Sequence, residues 1–185
     1  MGHPRFRLLA LGLAGLSFAC DDPFAGLLQP VPEVPGEASL TDLRTGALED
    51  PSAFDLLIET PVRPDLTGAW DFLYRIESGQ PQLVPFNALA DSTSDAGLQP
   101  VTDSFEGVRT APSSGYVQEE PVAIAEGDVL VARSRRDPNQ FFTCRRFAKI
   151  EILDIDAAEA RVTFRYLVNP NCDDRVLVPG QHGEP

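Results

Sequence analysis

CRRFAKIEILDIDAAEARVTFRYLVNPNC, residues 144–172, decides the fold. Ile150 and Ile152 alternate with Lys149 and Glu151, and Val162, Phe164, Tyr166 and Val168 alternate with Thr163, Arg165 and Leu167. A period of two is that of a strand with one buried face, so two antiparallel strands joined through IDAAEA are expected. If facing residues have positions summing to 316, Ile150 faces Tyr166, Ile152 faces Phe164, and Glu151 meets Arg165 on the opposite face. Apolar pairs then share one side of the ribbon and charges the other, as cross-strand pairing favours. Lys149 falls on the exposed side. The same register, chosen without the cysteines, sets Cys144 opposite Cys172, and a disulfide is expected there. Closing the hairpin in this way stabilises by roughly 3 kcal/mol in the chain-entropy account. Two metal-binding thiols are the alternative, but companion ligands at suitable spacing are missing.

The same period runs outward from the hairpin. In AWDFLYRIE, Trp70, Phe72, Tyr74 and Ile76 alternate with Asp71, Leu73, Arg75 and Glu77, which a helix would scatter around its circumference. FDLLIE, QLVPF, SFEGVRT, VAIA and GDVLVARS read as further strands, bounded by SGQPQ, TSDAG, APSSG and EGD with their turn-forming residues. No segment carries a long helical stripe. The expectation is an all-β domain over residues 53–179, an antiparallel sandwich or curved sheet, followed by a short tail at 180–185.

Ahead of it, residues 20–52 scatter proline, glycine and acids without a period, as an extended, solvated tether would; Leu40–Leu48 forms a short helix or docks on the domain. Residues 1–19, MGHPRFRLLALGLAGLSFA, have the plan of a secretory signal: Arg5 and Arg7, an apolar run of about eleven residues, too short to span a membrane, and small residues before a cysteine. Cys20 follows Ala19 as in the lipobox of bacterial lipoproteins, although Leu16 stands one place early and Phe18 is bulky. An incidental cysteine after ordinary cleavage is the alternative. The chain has three cysteines, and an odd thiol is a liability in an oxidising compartment; acylation of Cys20 leaves the other two to pair. The protein is thus expected to be exported and anchored to a bacterial membrane through Cys20, inner or outer.

The formal charge is −13, and loss of two arginines with the signal leaves thirteen basic against twenty-eight acidic residues, or −15. Such a surface repels nucleic acid and anionic headgroups; nucleic-acid partners are not expected. His3 belongs to the signal and His182 to the tail, which argues against histidine-based triads. Asp154 and Asp156 flank the hairpin loop and Asp173 and Asp174 follow Cys172, positions where aspartates serve turns. No catalytic residue, metal or cofactor is expected. Arg133, Arg135, Arg136, Arg145 and Arg146 make the main basic cluster, either a patch for a carboxylate or sulfate or partners for neighbouring acids.

SFEGVRTAPSSGYVQEE followed by GDVLVARSRR, then FAKIEILDID and VTFRYLV, resembles the carboxy-terminal half of the HmuY-like family of β-rich bacterial lipoproteins, and AWDFLYR its earlier strand; the likeness covers residues 66–168. It implies a lipid-anchored β-fold. Founding members bind haem through paired histidines, for which this domain has no match; Tyr74, Tyr116 and Tyr166 are the oxygen ligands on offer. The leading reading is a non-enzymatic domain binding a small ligand or an envelope protein. Haem binding with altered ligation, and a hydrolase using carboxylates, stay open as alternatives.

Overall fold

The computed structural model describes residues 28–89, 94–138 and 144–183. Cys20 and the signal at 1–19 lie outside them. The described residues form two five-stranded antiparallel sheets. The first runs in the order β1 (Gly36–Thr41), β10 (Arg161–Val168), β9 (Phe147–Asp156), β8 (Val129–Arg133), β6 (Gly97–Val101). The second runs β3 (Thr60–Val62), β2 (Ala53–Asp55), β4 (Phe72–Glu77), β5 (Gln80–Pro85), β7 (Val122–Ala123). One 3-10 turn, Phe86–Ala88, is the only helical element among the described residues, so the fold is all-β.

The hairpin has the register its alternation requires. Ile150 faces Tyr166, Ile152 faces Phe164 and Glu151 faces Arg165, with a bulge between Thr163 and Phe164. Cys144 and Cys172 form the disulfide, their Cα atoms 4.8 Å apart. Asp156 accepts the amides of Ala158 and Glu159 in the loop, the turn role expected of it. The inner face of this hairpin meets the second sheet through aromatics: Phe54 lies 5.4 Å from Phe164 and 4.9 Å from Tyr166, and stacks on Phe72 at 5.6 Å. Around them Leu40, Leu83, Leu98, Leu130, Ile150, Ile152 and Val162 close one core drawn from both sheets, the packing that defines a sandwich.

Several boundaries differ from expectation. The tether at 20–52 is shorter than read, because residues 36–41 join the first sheet as β1 with Leu40 fully buried. Residues 40–48 therefore dock rather than forming a helix. Gly36 permits this pairing: the Tyr166 ring lies where a Cβ would stand. Upstream, Val31 is buried and exchanges backbone hydrogen bonds with Gly180 and Gln181, so the start of the tail is also held. SFEGVRT is no strand; the Ser104 carbonyl accepts the amides of Gly107 and Val108 in a turn. FDLLIE keeps only Phe54 and Asp55 in β2 before turning into β3. Trp70 leaves the row of Phe72 and Tyr74 and packs with Ala53, Leu73 and Val84 in a separate cluster, because β4 begins two residues after it.

Candidate functional site

The largest departure concerns the outer face of the first sheet. On β9 that face presents Phe147, Lys149 and Glu151, and on β10 Arg165 and Leu167. It is covered. Phe105, Val108, Ala111 and Leu177 pack with Val129, Val131, Phe147 and Leu167 into a second core. The cover holds its shape through its own small ladder, in which Ala111 donates to Arg175 and Leu177 donates to Arg109. Lys149, expected on an exposed face, is instead 3% exposed, since the turn at 104–108 lies across it.

Where the cover is incomplete it leaves a cleft of about 320 Å³ bounded by Pro35, Leu177, Val178 and Pro179, with Phe105 on its floor and Glu106, Arg109, Lys149 and Arg165 around it. That volume is within the range of small-molecule sites, which combine apolar walls with a few convergent polar groups. The Lys149 Nζ donates to the Val108 carbonyl at 3.1 Å and sits 4.7 Å from the Phe105 ring centroid. Arg165 covers the same ring at 4.2 Å, so one phenyl group carries two cations. Arg165 is already paired with Glu106 at 2.8 Å and with Glu151. Lys149 and Arg109 have no carboxylate in ion-pair contact among the described residues, and Arg109 is exposed. Three cations against two carboxylates, Glu106 and Glu151, leave a small positive surplus at the cleft on an acidic molecule.

Electrostatics follow from that arrangement. Burial lowers the Lys149 ammonium from its ordinary value; Glu106 opposes, and Arg165 and Arg109 add to the lowering. An ammonium with one acceptor among the described residues, short of solvent and close to two guanidinium groups, is a less favourable cation than a free lysine. A bound anion would relieve it. In sequence Lys149 reads only as an exposed strand residue, and Arg109 is not singled out. A signal for the cover was present, however: β8 is apolar on both faces and Leu167 and Phe147 interrupt the polar face of the hairpin, the mark of a strand buried on both sides.

The arginine cluster divides. Arg133, Arg136 and Arg145 surround Asp95: Arg133 Nε donates to its carbonyl at 2.8 Å, Arg136 Nε to its carboxylate at 2.5 Å, and Arg145 lies 4.0 Å away while pairing with Asp173 at 2.8 Å. Arg133 also stands over the Tyr116 ring. The other two turn toward the second sheet. Arg146 donates to the Leu57 carbonyl at 2.8 Å, and Arg135 grips Asp55 and Asp71, both buried. Asp71 was read as a polar-face residue of β4, yet it ties the sheets together.

Tyr116 donates to the Pro112 carbonyl and Tyr166 to that of Glu59. Tyr74 is fully enclosed in the core, where burial and the nearby Asp42 push its hydroxyl up to about 12. A second hollow of about 290 Å³ lies at Asp42, Arg44, Leu48, Asp50 and Asp65; Asp42 is satisfied there by Thr45 and the Ile76 amide. Among the described residues no group of histidine, cysteine and carboxylate ligands is arranged to hold a metal. No family model, curated protein or solved structure matches the chain, so the HmuY-like resemblance is neither supported nor excluded and the cleft is read from its own residues.

Proposed function

We propose that this chain is an exported, membrane-tethered, non-enzymatic binding domain whose cleft takes a small carboxylate ligand with an apolar body. One observation carries the reading: the Lys149 ammonium is buried in an accessible cleft beside Arg109, with a backbone carbonyl as its polar contact. Buried charges are ordinarily paired, and a ligand carboxylate between Lys149 and Arg109 supplies the missing partner. Phe105, Leu177 and the prolines give the apolar wall. Thirteen residues or more of acidic surplus elsewhere repel anions at long range, so short-range contact rather than steering selects the ligand.

Phenylacetate titrated by calorimetry into the processed full-length protein is expected to bind, and phenylacetamide, its uncharged analogue, at least about tenfold more weakly, since a hydrogen bond to a charged group is worth roughly 1.5–3 kcal/mol. Arg109→Ala should weaken phenylacetate by a similar factor. Equal affinity for acid and amide, or no binding of either, overturns the reading.

The tether rests on Cys20 and the signal before it. No helix among the described residues is long and apolar enough to cross a membrane, so on this reading acyl chains do the anchoring, together with one further membrane signal if a single chain proves too weak. Intact-mass measurement of the protein from a bacterial envelope is expected to show cleavage before Cys20 and an acyl addition on it. Cleavage there without added mass places the protein in solution instead.

A further inference from the structure

The cleft holds one group whose chemistry anion binding does not use. Lys149 is the sole lysine of the chain and lines the cleft, and among the described residues its Nζ has a single polar contact, the Val108 carbonyl at 3.1 Å. A primary amine differs from a guanidinium in having a lone pair once it loses its proton. Desolvation and neighbouring cations are the two devices that expose that lone pair, and both are present: Lys149 is 3% exposed, and Arg165 shares the Phe105 ring with it.

We propose that Lys149 reversibly captures ligands that carry an aldehyde or keto carbonyl beside their carboxylate, as a Schiff base, while Arg109 holds the carboxylate. This rests on the cleft being an anion site. The neutral Nζ donates its pair to the carbonyl carbon and the carbon–oxygen π pair moves to oxygen. Proton transfer from nitrogen to that oxygen gives a carbinolamine, and a second proton then carries the oxygen away as water, leaving a protonated imine. Overall, ammonium and carbonyl give iminium and one water, with no oxidant or reductant. The Val108 carbonyl, 3.1 Å from Nζ, is placed to accept a hydrogen bond from the remaining N–H of the imine precursor. A 2-oxo acid with an aromatic or branched body fits the walls; the domain would then retain its ligand far longer than contacts alone allow.

Phenylpyruvate with cyanoborohydride, which reduces the iminium to a stable secondary amine, is the test on the processed full-length protein. One adduct per chain is expected at Lys149 by peptide mapping, forming at least about tenfold faster at pH 7.5 than on Nα-acetyl-lysine. Phenylacetate should suppress it, and Arg109→Ala should slow it. Lys149→Arg should lose the adduct. Adduct formation no faster than on the free amino acid, or unaffected by phenylacetate, overturns the proposal. Phenylacetate bound but no adduct rejects the imine and leaves the anion site standing; neither bound nor trapped rejects both.

Discussion

Arg135→Ala is expected to remove about 3–5 kcal/mol of folding free energy, the cost of leaving buried carboxylates without their cation. Asp55 lies on β2, Asp71 directly precedes β4, and Arg135 follows β8, so the cluster fastens one sheet to the other. The guanidinium reaches Asp55 at 2.8 Å and 2.9 Å and Asp71 at 3.0 Å. Asp71 also accepts the Arg135 amide at 2.6 Å and the Leu56 amide at 2.7 Å, and Asp55 the Leu57 amide at 2.9 Å. Both acids are almost wholly enclosed, at 2% and 1% exposure, where water cannot replace the lost partner. The stability of a domain of this size is itself only about 5–15 kcal/mol, so the variant should sit near its unfolding threshold.

The loss should depend on pH. Burial pushes Asp71 up to about 6, against the lowering influence of Arg135 and the two amides. A folded pKa above the unfolded one means that the folded chain holds the proton more tightly. Its contribution is complete below the unfolded value near 4 and is lost as pH rises through about 6. Without Arg135 the strongest lowering influence is gone, and the carboxyl moves further up. The deficit of Arg135→Ala is therefore largest above pH 6 and shrinks on acidification toward pH 4. Urea midpoints at pH 4.5, 6 and 7.5 measure this. A deficit below about 1 kcal/mol at pH 7.5, within the ordinary range for an exposed pair, would mean that the triad is not enclosed.

What could be read in sequence follows from where the physics is local. The β9–β10 register was legible because both strands are long, alternate strictly and are fixed by a side-chain period of two. β1 and β6 were not. GEASLT and GLQPV contain glycine, proline and small polar residues, and neither has a strand's composition. Both form the outer edges of the first sheet, where one side needs no ladder partner and proline is tolerated. Pairing with β10 and β8 supplied what propensity lacked. The cleft was hidden for a related reason. Lys149, Arg165 and Glu151 looked like a solvated face because alternation reports which side of a ribbon is polar, not what later folds over it. The covering turn at 104–108 and the segment at 175–179 lie some forty and thirty residues away in the chain, joined only through tertiary contacts. The arginine cluster was legible as a group, but its division between Asp95 and the Asp55–Asp71 pair depends on where β8 ends.

Replacing both cysteines, Cys144→Ala with Cys172→Ala, should lower stability by about 3–4 kcal/mol, the loop-closure entropy returned to an unfolded chain no longer tied across a separation of this size. The separation is 28 residues, and it encloses β9 and β10, the two central strands around which the first sheet is arranged. The folded state should change little. Backbone hydrogen bonds from Asn169 to Phe147 and from Asp173 to Arg145 continue the pairing on both sides of the bridge without help from sulfur, and the apolar pairs of the hairpin stay in place. The effect therefore belongs to the unfolded ensemble, which has a distinct signature: a lower urea midpoint together with a steeper denaturant dependence, because a chain free of the link exposes more surface on unfolding. A lower midpoint with a shallower slope would instead implicate damage to the folded hairpin. A loss under about 1 kcal/mol would show that the reduced, unfolded chain keeps these strands together, making the β9–β10 ribbon persistent without its bridge.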